Sequence, residues 1–148
     1  MSALAHVLAS RIEIRNSVFL GRVNFINSIF REPLDLSGST FRQEASFSSA
    51  TFLAMVSFAS AHFQEDALFD GTAFMKTADC SAASFQREIT FAGASINKMR
   101  LSRAQISGQL SLQNAEFNRL EARWPVLCNH LRYDGETYLS LARNYRNL

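Results

Sequence analysis

The sequence predicts an all-β solenoid, and two spacings carry that prediction. The first is the spacing of phenylalanine, because all thirteen Phe residues lie between residues 14 and 117 at steps that alternate between six and five. Leu36 and Cys80 fill the two gaps, and Ile96 takes the next place after the regular run. The Phe residues are Phe19, Phe25, Phe30, Phe41, Phe47, Phe52, Phe58, Phe63, Phe69, Phe74, Phe85, Phe91 and Phe117.

The second spacing is a small or β-branched residue two positions before nearly every Phe. Ala45, Ala50 and Val56 are examples, and no member of the set is charged. Residues two apart in an extended segment point to the same side, so each unit directs one small and one large side chain inward. The residue between them is mostly polar, as at Ser46 and Thr51, and is expected to face outward.

A helix is excluded because steps of five and six do not fit a 3.6-residue period. The five-residue steps contain pairs of tiny residues that suit tight corners, whereas the six-residue steps contain three residues and most of the charge. Four faces of 5, 6, 5 and 6 residues give a coil of 22 residues, with about five coils rising roughly 4.8 Å each. The expected core columns are Phe19, Phe41, Phe63, Phe85; Phe25, Phe47, Phe69, Phe91; Phe30, Phe52, Phe74, Ile96; and Leu36, Phe58, Cys80. Beyond Ile96 the spacing shortens by one residue and continues through Leu101, Ile106, Leu112 and Phe117.

This unit resembles the pentapeptide-repeat family, in which a small residue, any residue, Leu or Phe and two further residues recur. The clearest stretch is Ala45-Ser46-Phe47-Ser48-Ser49-Ala50-Thr51-Phe52, which is similar to the Phe-rich variant with an eleven-residue double unit. The resemblance covers about two thirds of the chain. It implies a right-handed quadrilateral parallel β-helix.

Both ends depart from the repeat and are expected to act as caps, since the open end of a stack exposes strand edges and core. We expect residues 1–13 to be an N-terminal cap or incomplete first coil, 14–117 the β-helix, and 118–148 a cap with a C-terminal helix. Tyr138, Leu141, Ala142 and Tyr145 would form the apolar face of that helix, with Asp134 as its N-cap. The chain is also expected to be a piece of a longer, possibly membrane-tethered protein with even odds.

Composition excludes several classes of protein. A formal charge of +2 gives no strong field for nucleic acid or an anionic membrane. No apolar run is long enough to span a bilayer, and Met1–Ser10 lacks the features of a signal peptide. Cys80 and Cys128 have no metal-ligand spacing; a disulfide between them stays open, but a reducing cytoplasm is the simpler setting.

Few side chains suggest a chemical site. His62 occupies an outward position, where a solvent-exposed histidine is expected. Cys128, His130 and Asp134 are the nearest approach to a Cys/His/acid cluster, but they are too few for a zinc site.

An acidic column is the other candidate. Glu44, Asp66 and Glu88 recur at 22 residues below Arg22, with Arg42 and Arg87 nearby. We interpret it as a solvated charged edge, with a divalent-ion or partner-binding ridge as the alternative.

The sequence therefore predicts a non-catalytic scaffold for protein–protein interaction or structural spacing. No catalytic, cofactor-binding or metal-binding residues are assigned, no direct nucleic-acid binding is expected, and a homodimer through a coil end is possible by analogy. Some members of the resembled family mimic DNA and bind DNA gyrase. That alternative is disfavoured because 13 acidic residues stand against 15 basic ones.

Overall fold

In the computed structural model, residues 6–123 and 129–130 are described, and all regular elements among them are short β-strands. They are β1 (His6–Leu8), β2 (Ile12–Glu13), β3 (Val18–Phe19), β4 (Val23–Asn24), β5 (Ser28–Phe30), β6 (Leu34–Asp35), β7 (Thr40–Phe41), β8 (Ala45–Ser46), β9 (Thr51–Phe52), β10 (Val56–Ser57), β11 (His62–Phe63), β12 (Ala67–Leu68), β13 (Ala73–Asp79), β14 (Ser84–Phe85), β15 (Ile89–Thr90), β16 (Ser95–Arg100), β17 (Gln105–Ile106), β18 (Leu110–Ser111) and β19 (Glu116–Glu121).

The strands pair in parallel as four ladders. The first ladder is β3-β7-β11-β14-β17 and the second is β4-β8-β12-β15-β18. The third joins β1, β5 and β9 to the first halves of β13, β16 and β19, and the fourth joins β2, β6 and β10 to their second halves. Partners such as Phe41 and Phe63 are 22 residues apart, which confirms the predicted coil length. The described chain is thus an all-β parallel solenoid of about five turns.

The ladders extend past the expected repeat boundaries. β1 and β2, which precede residue 14, pair with β5 and β6, and β19 continues to Glu121. The carbonyl of His130 also accepts a hydrogen bond from the N–H of Leu110 at 2.7 Å, so this residue adds a further rung beside the second ladder. The predicted C-terminal helix, with Asp134, Tyr138, Leu141, Ala142 and Tyr145, lies outside the described residues.

The interior is filled by the predicted columns of aromatic rings. Phe41 and Phe63 stack at 4.5 Å with an interplanar angle of 3°, and Phe63 stacks on Phe85 at 5.0 Å. Phe47 and Phe69 stack at 5.2 Å in the second column. The third column stacks Phe30, Phe52 and Phe74 at 4.8 and 5.1 Å. In the fourth, the N–H groups of Leu36, Phe58 and Cys80 donate to successive coils, so the predicted column is also present.

The five-residue steps close as β-turns, as their tiny residues predict. In residues 58–61, for example, the N–H of Ala61 donates to the carbonyl of Phe58 at 3.0 Å, and Ser60 has a φ of 57°. A positive φ at the third position of the turn is what a type II turn requires. These left-handed residues form two columns along the stack: Asn16, Gly38, Ser60, Ala82, Arg103 and Asn27, Ser49, Gly71, Gly93, Asn114.

The one-residue shortening beyond Ile96 is present as a bulge in the third and fourth ladders. Phe74 pairs with Ile96 at a separation of 22, whereas Thr77 pairs with Lys98 at 21. Met75 and Lys76 of the longer strand therefore lie opposite Asn97 alone. Later pairs, such as Ile89 with Leu110, keep the separation of 21.

Candidate functional surfaces and side-chain clusters

His62 takes part in the shortest contact between functional side chains on the first ladder. Its Nδ1 atom lies 2.8 Å from the hydroxyl oxygen of Ser84, its neighbour in the next coil. The outward column of this ladder is otherwise Val18, Thr40 and Gln105. The exposed position predicted for His62 is confirmed, but the sequence analysis did not identify Ser84 as its partner. The 22-residue spacing could have done so.

The His62–Ser84 pair lacks the surroundings that activate a nucleophile. A catalytic serine needs a base that is itself oriented by a third group, and donors for the developing negative charge. The N–H groups of His62 and Ser84 donate to the carbonyls of Ser39 and Ala61, at 2.8 and 2.9 Å. Because the ladder already uses these donors, they are not free to form an oxyanion hole. The pair is best described as a surface hydrogen bond.

His130 is the described member of the predicted Cys128, His130 and Asp134 cluster. Its Nδ1–H donates to the carbonyl of Gly108 at 3.1 Å while its own carbonyl accepts from Leu110. Cys128 and Asp134 lie outside the described residues, so the geometry of the cluster is not defined. What is defined is a structural contact of the histidine ring with the preceding coil.

The acidic column has the predicted order along the stack. Carbonyls of Glu44, Asp66 and Glu88 accept from N–H groups of successive coils at 2.9 to 3.0 Å, which places the three residues in one column. The Asp66 carboxylate accepts from the N–H of Glu88 at 3.2 Å, and Arg87 contacts Glu65 at 3.8 Å rather than a member of the column. Among residues 6–123 and 129–130, no three His, Cys, Asp or Glu side chains converge in a way that could hold a metal ion. The solvated-edge interpretation is the one these contacts favour.

A denser charge network lies on the fourth ladder, and the sequence analysis missed it. The outward column there is Glu13, Asp35, Ser57, Asp79, Arg100 and Glu121. At one end Arg15 Nε lies 2.7 Å from Asp35. At the other, Glu121 contacts Lys98 at 3.0 Å, Arg119 at 3.2 Å and Arg100 at 3.2 Å. Opposite charges in neighbouring coils pair across this face, so it presents little net charge.

Two carboxyl groups of this network have pKa values below their ordinary range. Burial of Asp35 acts to raise its pKa, but hydrogen bonds from Ser37 and Arg15 outweigh that effect. For Glu121, the hydrogen bond from Lys98 is the main cause of the lowered pKa, and the charges of Arg119 and Arg100 add to it. Both groups therefore remain ionised as surface ion-pair partners rather than as proton donors.

Cys80 behaves as the small buried hydrophobe that the repeat predicted. It is a free thiol, 1% exposed, in the fourth core column. Burial raises the pKa of this thiol far above its ordinary value, and the neighbouring Asp79 charge contributes. Because only the thiolate is an effective nucleophile or metal ligand, Cys80 is chemically inert in the folded chain.

A surface cleft of about 470 Å³ lies at the last described coil, lined by Ser102, Arg103, Glu121, Ala122 and Arg123. Residues 124–128 follow directly from its wall and are not described. The cleft is therefore assigned no ligand.

Comparison with known proteins adds a family. The part of the chain that the structure describes contains no helix with the length and apolarity that crossing a bilayer requires. No curated protein matches the sequence. A family model described as pentapeptide repeats matches residues 36–84 with nine copies. Residues 36–84 therefore consist of pentapeptide repeats, which confirms the family predicted from the sequence.

Proposed function

We propose that the protein is a non-catalytic scaffold whose outward faces bind another protein or hold neighbouring segments at a fixed separation. The observation that carries the proposal is the repeated use of backbone groups and large side chains for internal structure. Backbone N–H groups of each coil donate to the next coil, and the Phe columns fill the interior. What remains outside is a set of regular columns of short side chains, which suits a rigid recognition surface.

The same proposal includes the finer shape of the fold. Four ladders support a coil with four sides, and a right-handed path is favoured because crossovers between parallel strands of one sheet are almost always right-handed. We further propose that the C-terminal segment caps the stack as a helix. An experimental structure of the full chain with its termini resolved tests both.

A cytoplasmic location belongs to the proposal as well. It is supported by the buried free thiol of Cys80, which a reducing compartment would maintain. Fractionation of the source cells with a tagged full-length protein tests it, and recovery from the periplasm or from outside the cell would contradict it.

Face-directed variants test the binding function. The change Thr40→Lys with Ser84→Lys alters the first ladder, and Ser57→Lys with Asp79→Lys alters the fourth. We expect a protein partner that co-purifies with the wild type to be lost with one variant and retained with the other, at unchanged melting temperature. Equal recovery with wild type, both face variants and an unrelated bait would reject the proposal.

Charge pairing on the fourth ladder gives no support to DNA mimicry. A phosphate mimic needs unpaired negative charge along the rod, whereas Asp35 and Glu121 contact Arg15, Lys98, Arg100 and Arg119. We expect purified protein to leave the supercoiling rate of a type II topoisomerase unchanged. Inhibition or protection at micromolar protein would make mimicry the better account.

A further inference from the structure

The three-residue corner between the third and fourth ladders carries large apolar side chains that face solvent in the middle of the stack. Leu53 is 42%, Met55 47% and Met75 53% exposed. We call these three residues the apolar ridge. The other exposed large hydrophobic residues of the described chain, Val7, Val18, Leu20 and Ile26, all lie in the first coil or at its edge. The ridge is therefore separate from the open end of the solenoid.

Equivalent corners in the neighbouring coils bring opposite charges to the two sides of the ridge. Phe30, Phe52 and Phe74 are paired in one ladder and Leu34, Val56 and Ala78 in the next, so residues 31–33, 53–55 and 75–77 are equivalent corners. Glu32 and Lys76 thus lie one coil below and one coil above Ala54, roughly 10 Å apart at the ordinary strand spacing. Both are exposed. The ion pairs found within residues 6–123 and 129–130 involve neither of them.

We propose that the apolar ridge is the contact surface of a homodimer in which two copies lie side by side and antiparallel. The two-fold axis would lie in the interface, perpendicular to the stack, at the level of Ala54. Each Glu32 then faces the partner's Lys76, and each Lys76 faces the partner's Glu32. Leu53 meets the partner's Leu53 and Met55 meets the partner's Met55, so the apolar groups leave water together.

The charges decide the orientation. In a parallel dimer through the same ridge, Glu32 would face the partner's Glu32 and Lys76 the partner's Lys76, and both contacts would be repulsive. The antiparallel arrangement converts both into attractive contacts. A second copy therefore matches this surface in apolarity and in charge, and the match needs no unknown partner.

The adjoining face extends the contact without adding charge. Outward positions of the third ladder at these levels are Ile29, Thr51 and Ala73. In the antiparallel pair Ile29 would face the partner's Ala73, and Thr51 the partner's Thr51. Because a corner and one narrow face bury less area than an obligate interface, the dimer is reversible.

Charge reversal with sedimentation analysis tests the proposal. Wild-type full chain over a wide concentration series should show a monomer–dimer equilibrium. Lys76→Glu alone or Glu32→Lys alone turns two attractive contacts into two repulsive ones, so each should weaken association roughly tenfold. The double variant Glu32→Lys with Lys76→Glu should restore wild-type association, because the opposed charges are merely exchanged.

Arg42→Glu is the matched control. Arg42 is exposed on the other three-residue corner, and its reversal changes net charge as Lys76→Glu does without touching the ridge. It should leave association unchanged, whereas the charge-neutral pair Leu53→Ser with Met55→Ser should weaken it. A monomeric wild type at the highest concentration would overturn the proposal. So would a dimer that neither single reversal weakens, as expected for contact through a coil end, or a double variant that fails to recover.

Discussion

Replacing Phe52 by alanine should be among the most destabilising changes in the core. The Phe52 ring is 1% exposed and lies between Phe30 at 4.8 Å and Phe74 at 5.1 Å, with both pairs nearly parallel. Truncation of a buried Phe costs about 3–5 kcal/mol in transfer energy and cavity formation. Because the rigid ladders limit collapse around the gap, we expect the upper end, about 5 kcal/mol.

Phe19→Ala is the matched comparison. Phe19 is half-buried in the first coil and stacks on Phe41 at 4.8 Å, with no coil described on its other side. Its loss should cost about 2 kcal/mol, since a terminal coil contributes one interface instead of two. Urea unfolding followed by far-UV circular dichroism gives both values. Equal costs for the two variants would refute the argument that stacking on both sides determines the energy of each ring.

Three further predictions concern the backbone and the charged face. Gly108→Ala should destabilise the fold by at least about 2 kcal/mol, because a Cβ there would lie 2.1 Å from the carbonyl oxygen of Arg87, whereas Gly21→Ala, with nothing within 4 Å, should be nearly neutral in the same melting experiment. Ala82→Gly should raise the midpoint of urea unfolding by up to about 1 kcal/mol, because Ala82 has a φ of 56° and glycine adopts that conformation without steric cost. Asp35→Asn should lower stability at neutral pH but not at acid pH, because the folded pKa of Asp35 lies below the ordinary 3.8 and its contribution disappears as pH falls through that folded value.

Each of these expectations has an outcome that contradicts it. A Gly108→Ala variant as stable as Gly21→Ala would mean that the coil can shift to admit the methyl group. A lower unfolding midpoint for Ala82→Gly would show that the flexibility of the unfolded chain outweighs the relief of strain. A stability difference for Asp35→Asn that persists at the lowest pH would locate its effect in packing rather than in ionisation.

The core was predictable from the sequence because its geometry is repeated. Phe41, Phe63 and Phe85 recur at 22 residues, so one interpretation of the period placed all of them correctly. The tiny residues of the five-residue steps likewise predicted tight corners, and Ser60 and Ala82 adopt the left-handed conformation there. Even the shortening after Ile96 was visible as a broken interval.

The functional surfaces were less predictable, since they depend on side chains that the repeat does not constrain. The contacts of Glu121 with Lys98 and Arg100 join residues separated by 21 to 23 positions, and they require the shortened coil to be in place. Sequence spacing identified the column of Glu44, Asp66 and Glu88 but not whether its members would meet cations. The hydrogen bond of His62 to Ser84 also depends on a ring orientation that spacing alone does not specify.

The constant separation of paired residues makes the length of this protein adjustable in discrete units. Residues 45–66 form one full coil, since Ala45 pairs with Ala67 at the start of the next. Excising that segment would join Glu44 to Ala67 with every remaining column still aligned, and the rod would lose one rung of about 4.8 Å. Removing a number of residues that does not match a whole coil would instead turn core side chains outward. Gain or loss of genetic segments that encode whole coils would therefore change the distance between attached partners in fixed increments, while the surface of each retained coil stays the same.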